Sequence, residues 1–213
     1  METTPSFCKL IEKSIVSHWD GDALTDYQGA TLQFHDVARK IEKLHILFEN
    51  CGIEKGDKIS ICGRNSAHWA VAFLATLTYG AVAVPILHEF NAEQIHNIVN
   101  HSESRLLFVG DYIVKEIDPE QMPKIEGIVN LPDFSLHLSR SEKLTYAREH
   151  LNMMFGKKYP CAFRKEHVSY HEDQPDELAL INYTSGTTGF SKGVMLPYRA
   201  LWSNVEEIGR AHV

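Results

Sequence analysis

The chain has 213 residues, 44% of them hydrophobic and 23% charged, a composition that excludes intrinsic disorder and suffices for one or two domains with a sizeable core. The formal net charge of −7 at pH 7 argues against long nucleic acid as a partner. Met1-Glu2-Thr3-Thr4-Pro5 lacks the basic and apolar regions of a signal peptide, and no apolar run reaches the ~18 residues of a membrane span. A cytoplasmic protein is therefore expected, with peripheral membrane association left open by composition.

Ala23 to Gln33 carries the turn residues Asp26 and Gly29 and predicts a short hairpin. From Phe34, the apolar residues Val37, Ala38, Ile41, Leu44, Leu47 and Phe48 recur at helical spacing and end near Cys51-Gly52. The opposite face, Asp36, Arg39, Lys40, Glu42 and Lys43, reads as solvated and without function. Lys58 to Cys62 is a short apolar strand after the turn Glu54-Lys55-Gly56-Asp57. Ser66 opens a helix to Tyr79 that Gly80 closes as a left-handed cap, and Ala81 to Pro85 is a second strand. Asn91 with Gln94 forms a capping arrangement for a helix through His101. Arg105 to Val109 and Gly127 to Val129 are two further strands. Strands alternating with helices over short connections predict a layered α/β domain on a parallel sheet.

Farther on, Leu144, Ala147, Leu151 and Met154 predict one surface-packed helix over 141–155, and Val168-Ser169-Tyr170 favours a strand. His167 and His171 fix no third ligand, and His96 and His101, five apart, do not share a helical face, so all four are read as non-functional. Cys8, Cys51, Cys62 and Cys161 contain no C-x-x-C pair, so buried free thiols are expected rather than disulfides or a zinc site.

The stretch that carries chemistry is Tyr183-Thr184-Ser185-Gly186-Thr187-Thr188-Gly189-Phe190-Ser191-Lys192-Gly193, between apolar Leu178 to Ile181 and Val194 to Leu196. Two strands joined by a loop of small residues are predicted. Gly186 and Gly189 permit unusual backbone angles and leave room for a ligand. Thr184, Ser185, Thr187 and Thr188 add hydroxyls, and Lys192 adds one mobile positive charge. Amides, hydroxyls and a lysine together suit a polyphosphate. The spacing excludes a Walker loop, because Lys192 follows Ser191 and precedes Gly193, and the first glycine of a dinucleotide fingerprint is absent.

This stretch resembles the phosphate-binding signature of the adenylate-forming synthetases: acyl-CoA synthetases, peptide-synthetase adenylation domains and luciferase-like enzymes. Gly56 to Ile61, Asn65 to Trp69, Phe73 to Ala75 and Gly80 to Pro85 resemble the helix-and-strand core of acyl-CoA synthetases. Two departures stand out, since the family usually carries proline where Ser191 stands and histidine where Tyr198 stands. The resemblance implies activation of a carboxylic acid by ATP to an acyl-adenylate, then thioester formation with coenzyme A. Its blend is most similar to the long-chain fatty acyl-CoA ligases. Thr184, Ser185, Gly186, Thr187, Thr188, Gly189 and Lys192 would hold the nucleotide's phosphates, with Lys192 also catalytic and Mg2+ bridging the phosphate oxygens.

Only twenty-one residues follow Lys192, so the family's downstream acidic residue for magnesium, ribose-gripping aspartate and C-terminal lysine are not expected here. Ile208 to Val213 match the translation of a widely used sequencing-adapter oligonucleotide. The expected organisation is an incomplete N-terminal AMP-binding domain over 1–207 and an artefactual tail over 208–213, with a last helix from Tyr198 to about Glu207. Such a piece is expected to be inactive alone and poorly soluble through exposed sheet edges. The rival readings are a stand-alone nucleotide-binding half-domain and an inactive fragment.

Overall fold

A computed structural model describes residues 6–184 and 192–211. Its centre is a seven-stranded sheet in the order β7-β6-β5-β3-β4-β8-β9. The strands are β3 (Lys58–Cys62), β4 (Val82–Ile86), β5 (Leu106–Val109), β6 (Gly127–Asn130), β7 (Leu136–Ser139), β8 (Leu178–Thr184) and β9 (Lys192–Pro197). The five inner strands are parallel, and the two edges, β7 and β9, are antiparallel to their neighbours. The expected parallel α/β sheet is therefore present, extended by two antiparallel edge strands.

Both faces of the inner strands β3 to β6 are covered, which is why they read as apolar runs, while β9 leaves Val194 and Met195 exposed. Ile59, Ile61, Leu106 and Phe108 face a core shared with helices α1 (Phe7–Ser17), α2 (Phe34–Cys51) and α3 (Ala67–Tyr79). Cys62, Leu107, Val109 and Ile128 face the other core, filled by Ile95, Ile98 and Val99 of α4 (Ala92–His101). Alternate residues on one strand thus serve opposite layers.

Local signals set the ends of these elements. Gly52 and Gly80 close α2 and α3 with φ of 83° and 89°, where a Cβ would be strained. Asn91 and Gln94 form the anticipated capping box of α4. The small hairpin of β1 (Asp22–Thr25) and β2 (Thr31–Gln33) leads into α2, whose first turn is fixed by Asp36 accepting from the Gln33 amide.

Other elements needed long-range contacts. The Asp173 carboxylate accepts from the Phe7 and Cys8 amides at 3.0 and 2.8 Å and from the Ser6 hydroxyl, docking the start of α1, a helix the chain pattern left unassigned. Arg105 gathers Glu126 in a fork at 2.7 and 3.0 Å, Asp57 at 2.5 Å and the Gly52 carbonyl at 2.7 Å. It thereby ties the beginnings of β5 and β6 to the turn before β3.

Several expectations need correction. Residues 141–155 do not form one helix; α5 (Glu142–Glu149) and α6 (Leu151–Lys158) meet at His150, whose φ of −100° and ψ of 8° break the helical run. Leu144, Ala147 and Leu151 are nonetheless buried, so the apolar periodicity was real while the backbone turned between them. No strand forms at Val168-Ser169-Tyr170; a single 3₁₀ turn, Lys165–His167, precedes this extended stretch, which pairs with no strand. Glu42 leaves the supposedly solvated face of α2 and is buried, accepting from Lys158 at 2.7 Å and Tyr159 at 2.8 Å. Cys161 is exposed, whereas Cys8, Cys51 and Cys62 are buried and free. Burial pushes those three thiols up, Cys51 to about 11 and Cys62 to about 12, so they stay protonated. The last helix, α7 (Tyr198–Ala211), runs beyond Glu207.

Candidate functional site

β8 lies parallel to β4, with Leu180 opposite Ala83, and delivers its last residue to the carboxyl edge of the parallel strands. Open α/β sheets bind ligands at that edge. β9 returns antiparallel from there, pairing Thr184 with Lys192, Tyr183 with Gly193 and Asn182 with Val194. Thr184 and Lys192, on either side of the loop sequence, are therefore neighbours across the ladder. Both end residues are exposed. Of the predicted site residues, the structure brings these two together; Ser185, Gly186, Thr187, Thr188 and Gly189 lie outside the described residues, as does Ser191.

Below the loop, the hairpin is anchored by a side chain the motif reading treated only as part of a match. Tyr183 is 3% exposed and packs into the α4-side core. Its hydroxyl shares a 2.6 Å hydrogen bond with His101 Nδ1 at the end of α4, and the two rings meet edge to face at 5.7 Å. Burial raises the tyrosine pKa, so the phenol remains neutral. Across the ladder, a Cβ on Gly193 would stand 2.9 Å from Ile181 Cγ2 and 3.1 Å from Tyr183 Cζ. Glycine at 193 lets the tyrosine ring lie against the partner strand directly beside Lys192. The signal was present in the sequence as an aromatic opposite a glycine, but only the register shows that they pair.

Tyr198, which stands where the resemblance expected histidine, opens α7 from inside the core. It is 1% exposed, and its hydroxyl donates to the Leu77 carbonyl at 2.7 Å. Its ring lies 6.4 Å from Phe7 and 6.3 Å from His171. The end of β9 is thus fastened to α3 and α1, the elements that carry the core on the far side of the sheet. Burial pushes the Tyr198 phenol well above its ordinary range, so it stays protonated near neutrality.

The histidines set aside from metal binding have structural partners. His96 Nε2 accepts from the Asp118 amide at 3.0 Å, His167 Nδ1 from the Arg164 amide at 2.9 Å, and His171 Nε2 lies 2.7 Å from Glu177 Oε1. Among the described residues, no group of three or more His, Cys, Asp or Glu side chains is placed to hold a metal. No described helix is long and apolar enough to cross a membrane.

The site is therefore an exposed threonine and an exposed lysine on either side of the Ser/Thr/Gly sequence, above a base anchored by Tyr183 and His101. It can hold an anionic group by hydroxyl donation and one mobile charge. Comparison with known proteins identifies the family. The family described as AMP-binding enzyme matches residues 11–212. Long chain acyl-CoA synthetase 3 of Arabidopsis thaliana is 26% identical over 166 residues, covering 76% of this chain and 24% of that protein. Long-chain-fatty-acid–CoA ligase ACSBG2 of Xenopus laevis is 28% identical over 200 residues, covering 89% of this chain and 26% of the relative. The chain thus spans about a quarter of the length of these curated relatives.

Among solved structures, the anthranilate CoA ligase AuaEII, crystallised with anthranoyl-AMP, superposes with a TM-score of 0.72 at 17% identity, covering 93% of this chain and 35% of that one. The fatty acyl-adenylate ligase from L. pneumophila, in complex with acyl adenylate and pyrophosphate, gives 0.69 at 19% identity, covering 95% and 32%. At such identities these structures establish a shared fold. Together with a family match over nearly the whole sequence, they place the hairpin in its lineage: this chain belongs to the AMP-binding enzyme family.

Proposed function

We propose that the intact protein activates a carboxylic acid, of the fatty acid class, with ATP and transfers the acyl group to coenzyme A. The observation that carries the reading is the β8–β9 register, which sets Thr184 opposite Lys192 at the carboxyl edge of the sheet and closes the Ser/Thr/Gly sequence between them. The relatives named as long-chain acyl-CoA synthetases supply the acid class and the acceptor. In the first half-reaction a carboxylate oxygen attacks the α-phosphorus, and the bond to the β-phosphate bridging oxygen breaks, releasing pyrophosphate. In the second, the coenzyme A sulfur attacks the acyl carbon, AMP leaves and the thiol proton is released.

This chain's share of that chemistry is to position and to neutralise charge. Lys192 offers a point charge to the departing pyrophosphate oxygens, while the Thr184 hydroxyl donates beside it. Ser185, Gly186, Thr187, Thr188 and Gly189 complete the cradle in this reading. A divalent metal suits such chemistry by drawing charge from the phosphates. Among the described residues no carboxylate cluster is placed to hold it.

The test is product identity. The full-length protein, given a panel of acids with ATP, magnesium and coenzyme A, is expected to release pyrophosphate and AMP and to form a thioester. ADP and phosphate as the sole products would reject adenylation. Nucleotide binding without either product would favour the half-domain reading instead.

A further inference from the structure

At the opposite edge of the molecule from the β8–β9 hairpin lies a cavity of about 470 Å³ between α2, α5 and the turn joining β6 to β7. Four cations line it: Arg39, Lys40 and Lys43 of α2, and Arg148 of α5. Arg39 and Lys43, and likewise Lys40 and Lys43, share one face of the helix by their spacing. None of the four forms an ion pair among the described residues. Three are instead held by neutral acceptors. Lys40 Nζ lies 3.2 Å from His68 Nε2, Lys43 Nζ donates to Asn152 Oδ1 at 2.8 Å, and Arg148 Nε donates to the Phe134 carbonyl at 2.6 Å.

Their mutual repulsion is only partly offset, Arg148 acting on Asp133 nearby. The Lys43 ammonium is held below the usual lysine range by burial and then by Arg39, Lys40 and Arg148. His68 is held below the ordinary histidine range, first by burial and then by Lys40, so it stays neutral and adds no charge near pH 7. Two carboxylates, Asp36 and Asp133, also line the cavity, leaving a surplus of two positive charges in a chain that is acidic as a whole. The apolar lining is half-buried Leu32, backed by the buried Leu44, Leu47 and Phe134. Phe134 adopts a φ of 56°, a backbone conformation unusual for an aromatic residue, and Arg148 pins that turn from within the cavity.

Four cations against two acids, with no direct ion pair between them among the described residues and an apolar lining in a cavity of ligand size, make an anion site rather than a solvated surface. We propose that this cavity binds an organic phosphate, its dianionic group between Lys43 and Arg148 and its apolar portion on the apolar lining. A dianion matches the surplus of two charges; a carboxylate would leave one uncompensated. The site is separate from the loop that the proposed adenylation uses, so the two readings stand or fall independently.

Hexyl phosphate titrated into the purified chain by calorimetry is the first probe, with hexanoate and hexyltrimethylammonium beside it. Hexyl phosphate is expected to bind at least about tenfold more tightly than hexanoate, with salt weakening it, and the ammonium compound not at all. Arg39→Gln, at an exposed position with no role in packing, and Lys43→Gln should each weaken binding about tenfold, whereas Lys192→Ala should leave it unchanged. Flotation with phosphatidylcholine vesicles, with and without phosphatidic acid, separates the sources. Capture by phosphatidic acid that requires Lys43 assigns a lipid headgroup, and binding of hexyl phosphate alone assigns a soluble phosphoester. Absence of hexyl phosphate binding, equal binding of hexanoate, binding insensitive to Arg39→Gln and Lys43→Gln, or loss only on Lys192→Ala would each overturn the proposal.

Discussion

Thr184 and Lys192 are register partners across the β8–β9 ladder, so the two ends of the loop sequence are fixed against each other by backbone pairing. A point charge on a paired strand end is positioned by the backbone ladder. That relationship makes the contributions of the loop and of its support separable by experiment.

Lys192→Ala in the full-length protein is expected to slow adenylation by about 2–4 kcal/mol of transition-state stabilisation, the scale of deleting one oxyanion donor. Thioester formation from pre-made acyl-adenylate should be largely unchanged. Gly189→Val should cost more, because a branched side chain obstructs several phosphate contacts together. Measuring both half-reactions for each variant checks this; a Lys192→Ala enzyme slowed only in the thioester step would contradict the phosphate role.

Gly193→Val tests the support. The new side chain would begin 2.9 Å from Ile181 Cγ2 and 3.1 Å from Tyr183 Cζ, on a strand whose partner ring is already anchored to His101. Overpacking of this kind costs about 1–3 kcal/mol. Urea unfolding should show the loss, and Tyr183→Phe in the same background should not restore it, since the ring and not the hydroxyl is in the way.

Tyr198→Phe removes a buried donor to the Leu77 carbonyl. A loss of about 1–2 kcal/mol in stability is expected, with the adenylation rate unaffected because the phenol is a fastening of α7 and not a reacting group. An unchanged melting temperature with a slower first half-reaction would instead place Tyr198 in the chemistry.

His45 gives the fold a pH dependence of known sign. It packs against Tyr79 and Tyr170 with ring centroids at 5.5 and 5.8 Å, and its Nε2 lies 3.1 Å from both the Ala75 carbonyl and the Thr78 hydroxyl. Burial holds its pKa at about 4, below the ordinary 6.5. Between those values the unfolded chain binds the proton that the folded chain refuses. Stability is therefore full above about 6.5 and falls as the pH drops toward about 4, by up to roughly 3 kcal/mol from this residue. His45→Gln should flatten that part of the stability–pH curve measured by denaturant unfolding; a slope identical to the parent's would remove His45 as the cause.

What the sequence determined by itself is local. Glycine at 52 and 80, the Asn91–Gln94 box and the apolar spacing of α2 each act within a few residues, and each stands where it was expected. The loop sequence from Tyr183 to Gly193 likewise carried its family in the order of its residues, and its flanks formed β8 and β9 as anticipated. The tertiary structure alone decided which distant groups meet. Glu42 and Lys43 are neighbours on one helix, yet Glu42 is drawn under Lys158 and Tyr159 while Lys43 joins Arg148 in a cavity, because α5 and α6 pack across α2 and divide its charged face. Asp173 captures the first amides of α1 from more than 160 residues away. Periodicity records which face of an element is apolar; it carries no address for the partner, which is settled only when the sheet order brings β8 beside β4 and the helices close over both faces.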